Sequence, residues 1–272
     1  MTRLADIFST TETMWPQDGA EEWDAVGLVT GDADAEVSKI VLAVDPVRAT
    51  VDEAIEAGAQ LLITHHPLLL KGVTSVAEDR YKGKLIADLI RAGCALVSAH
   101  TNADVVPEGP TGVVLAKLGV RDVTPIKPVE HRPEHGIGLV GTLPEPEPLG
   151  RFASRLAKVI PSTATGVRVS GDFEREVQCI AMCSGAGDSL LNHPAVRGAD
   201  AYITSDLRHH PASESAEQTL LGEGPALIDI SHWASEWVWL DGAAQRLRDA
   251  HPEIEVIVSE INTDPWTFAI QQ

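Results

Sequence analysis

The sequence predicts an α/β protein of two related α/β lobes with mostly parallel sheets and a metal centre in the cleft between them. Three observations carry that reading. Short, almost wholly apolar strands alternate with segments of helical spacing, the pattern of a sheet covered on both faces. Two elements recur: LLITHHP followed by VSAHTNAD in the first half, and AYITSDLRHHP followed by IDISHWASE in the second. An ancient duplication explains the echo, with the two halves facing each other across a site. Finally, six of the ten histidines fall in four clusters at the ends of these strands, where open α/β sheets place their ligands.

The elements follow in order. Residues 39–44 (KIVLAV) form an apolar, β-branched strand, 48–57 have helical spacing, Gly58 stops that helix, and 60–64 (QLLIT) make the next strand. The cycle repeats with a helix over 84–92, Gly93 as its stop and a strand over 95–98. Residues 125–148 are rich in Pro, Glu and His, interrupted by a short strand at 137–141, and mark the boundary region. The expected lobes are therefore 1–126 and 127–272. The second contains a helix over 149–159 and strands near 166–170, 177–183, 201–204 and 227–230. A helix from Ser231 to about Ala250 and a strand at 255–259 complete it.

Forty acidic residues against 21 basic give a formal charge of −19. A surface this negative repels phosphate backbones and argues against nucleic-acid binding through a basic face. No stretch approaches the ~18 apolar residues of a membrane span, and no secretory signal opens the chain, so a cytoplasmic protein is expected. Cys94, Cys179 and Cys183 sit in apolar runs and read as small buried hydrophobes, with a Cys179–Cys183 metal pair as the alternative. Of the six tryptophans, Trp23, Trp233, Trp237 and Trp239 flank the motifs. Trp237 and a neighbour read as helix-packing or subunit-contact residues, with base stacking as the alternative.

The chemistry lies in the clusters. His65 and His66 follow LLIT and are stopped by Pro67. Adjacent side chains on extended backbone point apart, so two such imidazoles suit two ions rather than one; the bland alternative is a polar pair closing a strand. Asp104 closes the string HTNAD and reaches the same side of the sheet if its strand neighbours that of the pair, whereas His100 is either a group orienting Asp104 or a loop residue. His232 and Glu236 stand at i and i+4 behind the N-cap candidate Ser231, so both project from one helical face; a surface His–Glu contact is the alternative. Three imidazoles and two carboxylates suit Zn, Mn, Fe, Co or Ni rather than Ca or Mg. Two divalent ions would keep about half their charge after pairing with Asp104 and Glu236. That surplus lowers the pKa of a bridging water towards ~7 and attracts a phosphate or polarised carbonyl. His209 and His210, in a second His-His-Pro, and Asp206 are candidates for proton transfer, or else close a strand end. Gly185 and Gly187 suggest a tight turn, or less favourably a phosphate cradle; no P-loop and no GxSxG string is present.

With WDAVGL, THHP, HTNAD, ITSDLRHH and SHWASE in this order, the chain resembles the Nif-three-like dinuclear-metal family, often labelled GTP cyclohydrolase 1 type 2 homologues. The resemblance implies that His65 and His232 bind one divalent ion, His66 and Asp104 the other, and Glu236 touches both. It also implies two α/β lobes and a ring-shaped homohexamer; longer members carry a central inserted domain that this chain is too short to hold. Ala25 stands where the family usually has Asn, Gly112 and Val113 where it has Asn-Asp, and Ser205 and Asp206 where it has Gly-Glu. These departures touch substrate contacts rather than the expected ligands.

The expected function is a metal-dependent hydrolase acting on a small molecule, with GTP suggested by the resemblance. Glu236, His209 and His210 are the expected catalytic residues. The same two-ion chemistry suits phosphoester or pyrophosphate hydrolysis equally well, and a non-catalytic metal-binding or assembly protein is the alternative of another class.

Overall fold

The computed structural model describes residues 2–222 and 224–270. Contacts divide the chain into two units, one running to Ala103 and including Leu240–Thr263, the other comprising Asp104–Trp239 and the segment from Asp264. The division thus falls at Ala103 rather than after residue 126. Leu240–Thr263 joins the first unit because Glu255–Val258 pairs with Lys39–Ala43.

In the first unit the sheet order is Glu255–Val258, Lys39–Ala43, Leu61–Thr64, Ala95–Ser98, Gly27–Thr30. The first four are parallel and the last antiparallel. Helices Arg48–Glu56 and Tyr81–Ala92 make the crossovers. Both end in the same way. Gly58 and Gly93 adopt a left-handed φ of 66°, and the next residue closes the helix, Ala59 N–H to Ala54 O and Cys94 N–H to Leu89 O, both at 2.9 Å. Such caps satisfy carbonyls the helix would orphan and turn the chain directly into the next strand. Leu61–Thr64 and Ala95–Ser98 are buried throughout. Leu62 and Leu96 pack in one cluster with Val51, Leu85 and Leu89 from the helices, each such side chain contributing about 1.5–3 kcal/mol.

The parallel ladder continues beyond the strands. His65 N–H donates to Ala43 O (3.1 Å), His66 N–H to Val44 O (2.9 Å) and Ala99 N–H to Thr64 O (2.9 Å). The residues at the carboxyl edge therefore stand on fixed backbone.

In the second unit the order is Arg121–Val129, Arg132–Pro148, Glu176–Ala186, Ala201–Ser205, Ala226–Ile230, Arg168–Ser170. Only Glu176–Ala186, Ala201–Ser205 and Ala226–Ile230 pair in parallel, so this sheet is mixed where the first is mostly parallel. The segment read as a boundary is a long hairpin. Its prolines hid it: Pro125 and Pro128 lie on the edge strand, where a missing N–H is tolerated. Ile126, Leu139 and Leu143 are nevertheless buried. The helix expected from Ser231 to Ala250 is two helices, His232–Trp237 and Leu240–Ala250. Trp239 N–H bonds Glu236 O, three residues back, in a tight turn between them (3.1 Å). Helices Leu4–Met14, Pro110–Lys117 and His209–Leu220 had no counterpart in the sequence reading.

Cys94 and Cys183 are buried and Cys179 half-buried, all as free thiols. Burial pushes the Cys94 thiol up to about 11, as befits a core residue rather than a ligand. Among the described residues, no helix is long and apolar enough to cross a membrane.

A Cβ on Gly93 would meet no neighbouring atom within 4 Å, so replacing it exposes backbone strain alone. Gly93→Ala is expected to lower stability by about 1–2 kcal/mol in urea unfolding, with metal content unchanged.

Candidate metal centre

In the first unit three histidines converge. Each offers a ring nitrogen, and the ligand atoms of His65, His66 and His100 lie within 4.8 Å of one another. The ring centroids of His65 and His66 are 5.1 Å apart, and His100 lies 5.2 and 5.4 Å from them. The expectation that His65 and His66 would point apart assumed extended backbone. The strand ends at Thr64 and the chain bends at both histidines, which turns their rings towards one region.

What orients these rings is the partner of each Nδ1. His65, fully buried, donates from Nδ1 to the Ala99 carbonyl (2.9 Å). His66 donates to Asp45 Oδ1 (2.7 Å) and His100 to Asp24 Oδ1 (2.8 Å). A carbonyl or carboxylate oxygen can only accept, so Nδ1 carries a proton in all three. That is the arrangement metal-binding imidazoles use: the acceptor fixes both tautomer and ring direction. Asp45 is itself held by the Thr263 hydroxyl. His100 thus turns to Asp24, not to Asp104 as one sequence reading had it.

Asp24 is the residue the motif reading missed. Its buried carboxylate accepts from His100, the Thr101 hydroxyl, Thr101 N–H (3.0 Å) and Ala25 N–H (2.7 Å). Burial by itself would raise its pKa, but the bonds from His100, Thr101 and Ala25 together hold it far below the usual carboxylate range. Asp24 therefore stays ionised beside His100. The only sequence signal was its place in WDAVGL, which marks family but not role.

In the second unit Ser231 caps the helix His232–Trp237, its Oγ accepting from Ala234 N–H (3.2 Å). Capping sets the first turn so that His232 and Glu236 face the same way, with His232 Nε2 3.0 Å from Glu236 Oε1. His232 Nδ1 donates to Asp206 Oδ2 (2.7 Å). Asp206 sits at a φ of 57°, a left-handed turn that Asp tolerates. Burial would lower the His232 pKa, but Glu236 and Asp206 outweigh it and hold it well above the usual value. Glu236 is only 2% exposed. A carboxylate so buried calls for a neighbouring cation, met by a proton on His232 or by a metal ion that replaces it.

Gly185 lies beneath this pair. A Cβ there would stand 2.7 Å from Glu236 Oε1 and 3.1 Å from His232 Nε2, and its φ is 66°. Its N–H donates to Ser235 Oγ (3.0 Å), its carbonyl accepts from Thr204, and the Gly187 carbonyl accepts from Tyr202. With its polar groups used internally, the SGAG string is a tight turn that makes room for the two donors, not a phosphate cradle.

Asp104 ends the short helix Thr101–Asp104. The Cys183 thiol is raised first by burial and then by the charges of Asp104 and Glu236. His209 and His210 begin the helix His209–Leu220, exposed, with their rings 5.3 Å apart edge to face. His210 lines a cleft of about 710 Å³ together with Asp188, Arg197 and Arg208. Of the SDLRHH string, Asp206 is the residue brought to His232. Trp233 and Trp239 are buried and Trp237 is half-buried.

The donor chemistry fits a divalent cation of the transition series: imidazole Nε2 atoms and carboxylates, with the opposite ring nitrogen anchored. Asp24→Asn keeps the size of the side chain but removes the anionic acceptor from His100. Metal affinity is expected to fall about 10–100-fold, read by titration with a metal-sensitive dye, while the circular dichroism spectrum is retained.

The chain was compared with known proteins. A family model described as Duf34/NIF3 (NGG1p interacting factor 3) matches residues 2–265. A Streptomyces coelicolor protein named GTP cyclohydrolase 1 type 2 homolog is 45% identical, covering 98% of this chain and 94% of its own. One from Mycobacterium bovis with the same name is 33% identical, covering 98% and 97%. Among solved structures, a Staphylococcus aureus hypothetical protein superposes with TM-score 0.88 at 30% identity over 98% of this chain and 99% of that one. A Bacillus cereus protein related to NIF3 gives TM-score 0.88 at 22% identity, covering 98% and 99%, and speaks for the fold alone. With nearly its whole length matched and its histidine strings at the strand ends, this chain belongs to the Duf34/NIF3 family.

Proposed function

We propose that this protein is a metal-dependent hydrolase of the GTP cyclohydrolase 1 type 2 kind, holding two divalent ions through His65, His66, Asp104, His232 and Glu236. The observation that supports the reading is the shared wiring of the imidazoles, each Nδ1 tied to an oxygen acceptor, the arrangement in which Nε2 is the nitrogen that would meet a metal ion. When bound, the ions supply Lewis acidity and a hydrolytic water near neutral pH. The chain's own residues do the rest. Asp206 holds His232 in one orientation. Buried Glu236 is the acceptor for a proton from the attacking water. His209 and His210, exposed at the start of their helix, exchange protons with solvent. A small molecule carrying a phosphate or an electrophilic ring carbon, a nucleotide such as GTP, is the substrate class, as the names of the relatives suggest. The protein acts in the cytoplasm as a ring-shaped hexamer.

Three measurements test this. Elemental analysis of the purified protein is expected to give two transition-metal ions per chain, and light scattering a sixfold chain mass. Metal-loaded protein incubated with GTP is expected to release formate, and Glu236→Ala to lose that turnover by at least 10³-fold with its fold intact. If the parent protein consumes no GTP and Glu236→Ala only sheds metal, the non-catalytic metal-binding or assembly reading replaces this one. Release of phosphate or pyrophosphate without formate would favour a phosphoester or pyrophosphate hydrolase.

A further inference from the structure

Beyond the strand Leu61–Thr64 and the two histidines that follow it, the chain runs into a loop, residues 67–80, that ends at the helix Tyr81–Ala92. Between this loop and the helix start lies a recess of about 550 Å³, lined by Thr74, Ser75, Arg80, Tyr81 and Lys82 with two small neighbours. In a protein of net charge −19, this lining holds two cations and three hydroxyls and no carboxylate. Two nearby acids, Glu78 and Asp88, are engaged elsewhere, and Asp79 lies outside the lining. Glu78 grips Arg91 through both oxygens (2.6 and 2.7 Å) and lies 3.7 Å from Lys84. Asp88 is held by Lys84 (2.7 Å) and Arg48 (2.9 Å). Among the described residues no carboxylate pairs with Arg80 or Lys82. The Glu78 clasp also ties the loop to the helix, so the recess is built in advance of any ligand. Tyr81 is 66% exposed, a large ring that burial does not explain.

We propose that this recess binds a nucleoside phosphate, with Arg80, Lys82 and the Thr74 and Ser75 hydroxyls on the phosphate groups and the Tyr81 ring against the base. The volume lies within the range of small-molecule sites. Charge-assisted bonds to phosphate oxygens are among the stronger polar contacts, and a fixed basic recess on an acidic surface concentrates anions locally. Aromatic faces accept any base by stacking. The inference rests on the nucleotide reading above for the class of ligand, but the site is independent of the metal ligands.

The test is calorimetric titration of the metal-loaded protein with GTP, pyrophosphate and guanosine, using the parent, R80Q/K82Q and Y81L. The altered residues are exposed or half-buried, so unchanged melting temperature and metal content are expected. R80Q/K82Q should weaken GTP and pyrophosphate about tenfold or more and leave guanosine alone. Y81L should weaken GTP and guanosine but not pyrophosphate. Unchanged GTP affinity in R80Q/K82Q, or no GTP binding by the parent, overturns the site. If the parent binds GTP, the variant loses it and neither turns it over, the recess stands and the hydrolase reading falls.

Discussion

An imidazole can offer a metal only the nitrogen that its protein has not used. In this chain His65, His66, His100 and His232 all spend Nδ1 on an oxygen acceptor: the Ala99 carbonyl, Asp45, Asp24 and Asp206. Each of those bonds fixes a proton on Nδ1 and a ring direction, so that Nε2 is the atom a metal ion would meet. Both units follow the rule. The three carboxylates also place negative charge behind the rings, which strengthens Nε2 as a donor and favours a cation in front.

The fold exists to hold those acceptors still. Leu61–Thr64 and Ala95–Ser98 are buried, and their ladder extends to the backbone of His65, His66 and Ala99. The same Ala99 then accepts from His65, so one short parallel pair sets both the position and the orientation of that imidazole. In the second unit the cap at Ser231 and the space left by Gly185 do the equivalent work for His232 and Glu236. Leaving Glu236 2% exposed is costly without a cation.

Much of this was legible in the chain. The glycines after each helix, the apolar strands between them and the i, i+4 spacing of His232 and Glu236 follow from local rules, and the structure places them accordingly. The acceptors were not. Asp24 is 76 residues from His100, Asp45 21 from His66 and Asp206 26 from His232, and no periodicity links positions so far apart. The bend that brings His65 and His66 together also lay beyond pattern reading, because alternation holds only while the backbone stays extended. The long hairpin failed for a third reason: its prolines are breakers in a central strand but are admissible at an edge.

The central claim is that metal ions are held through Nε2 of anchored imidazoles and by the carboxylate of Glu236. Anomalous diffraction from crystals of the protein, recorded at the edge of whichever metal it carries, tests it directly. The account predicts anomalous peaks about 2.0–2.3 Å from Nε2 of His65, His66 and His232 and from a Glu236 oxygen. Peaks beside Nδ1 atoms, or metal-replete crystals with no peak at these residues, would contradict it.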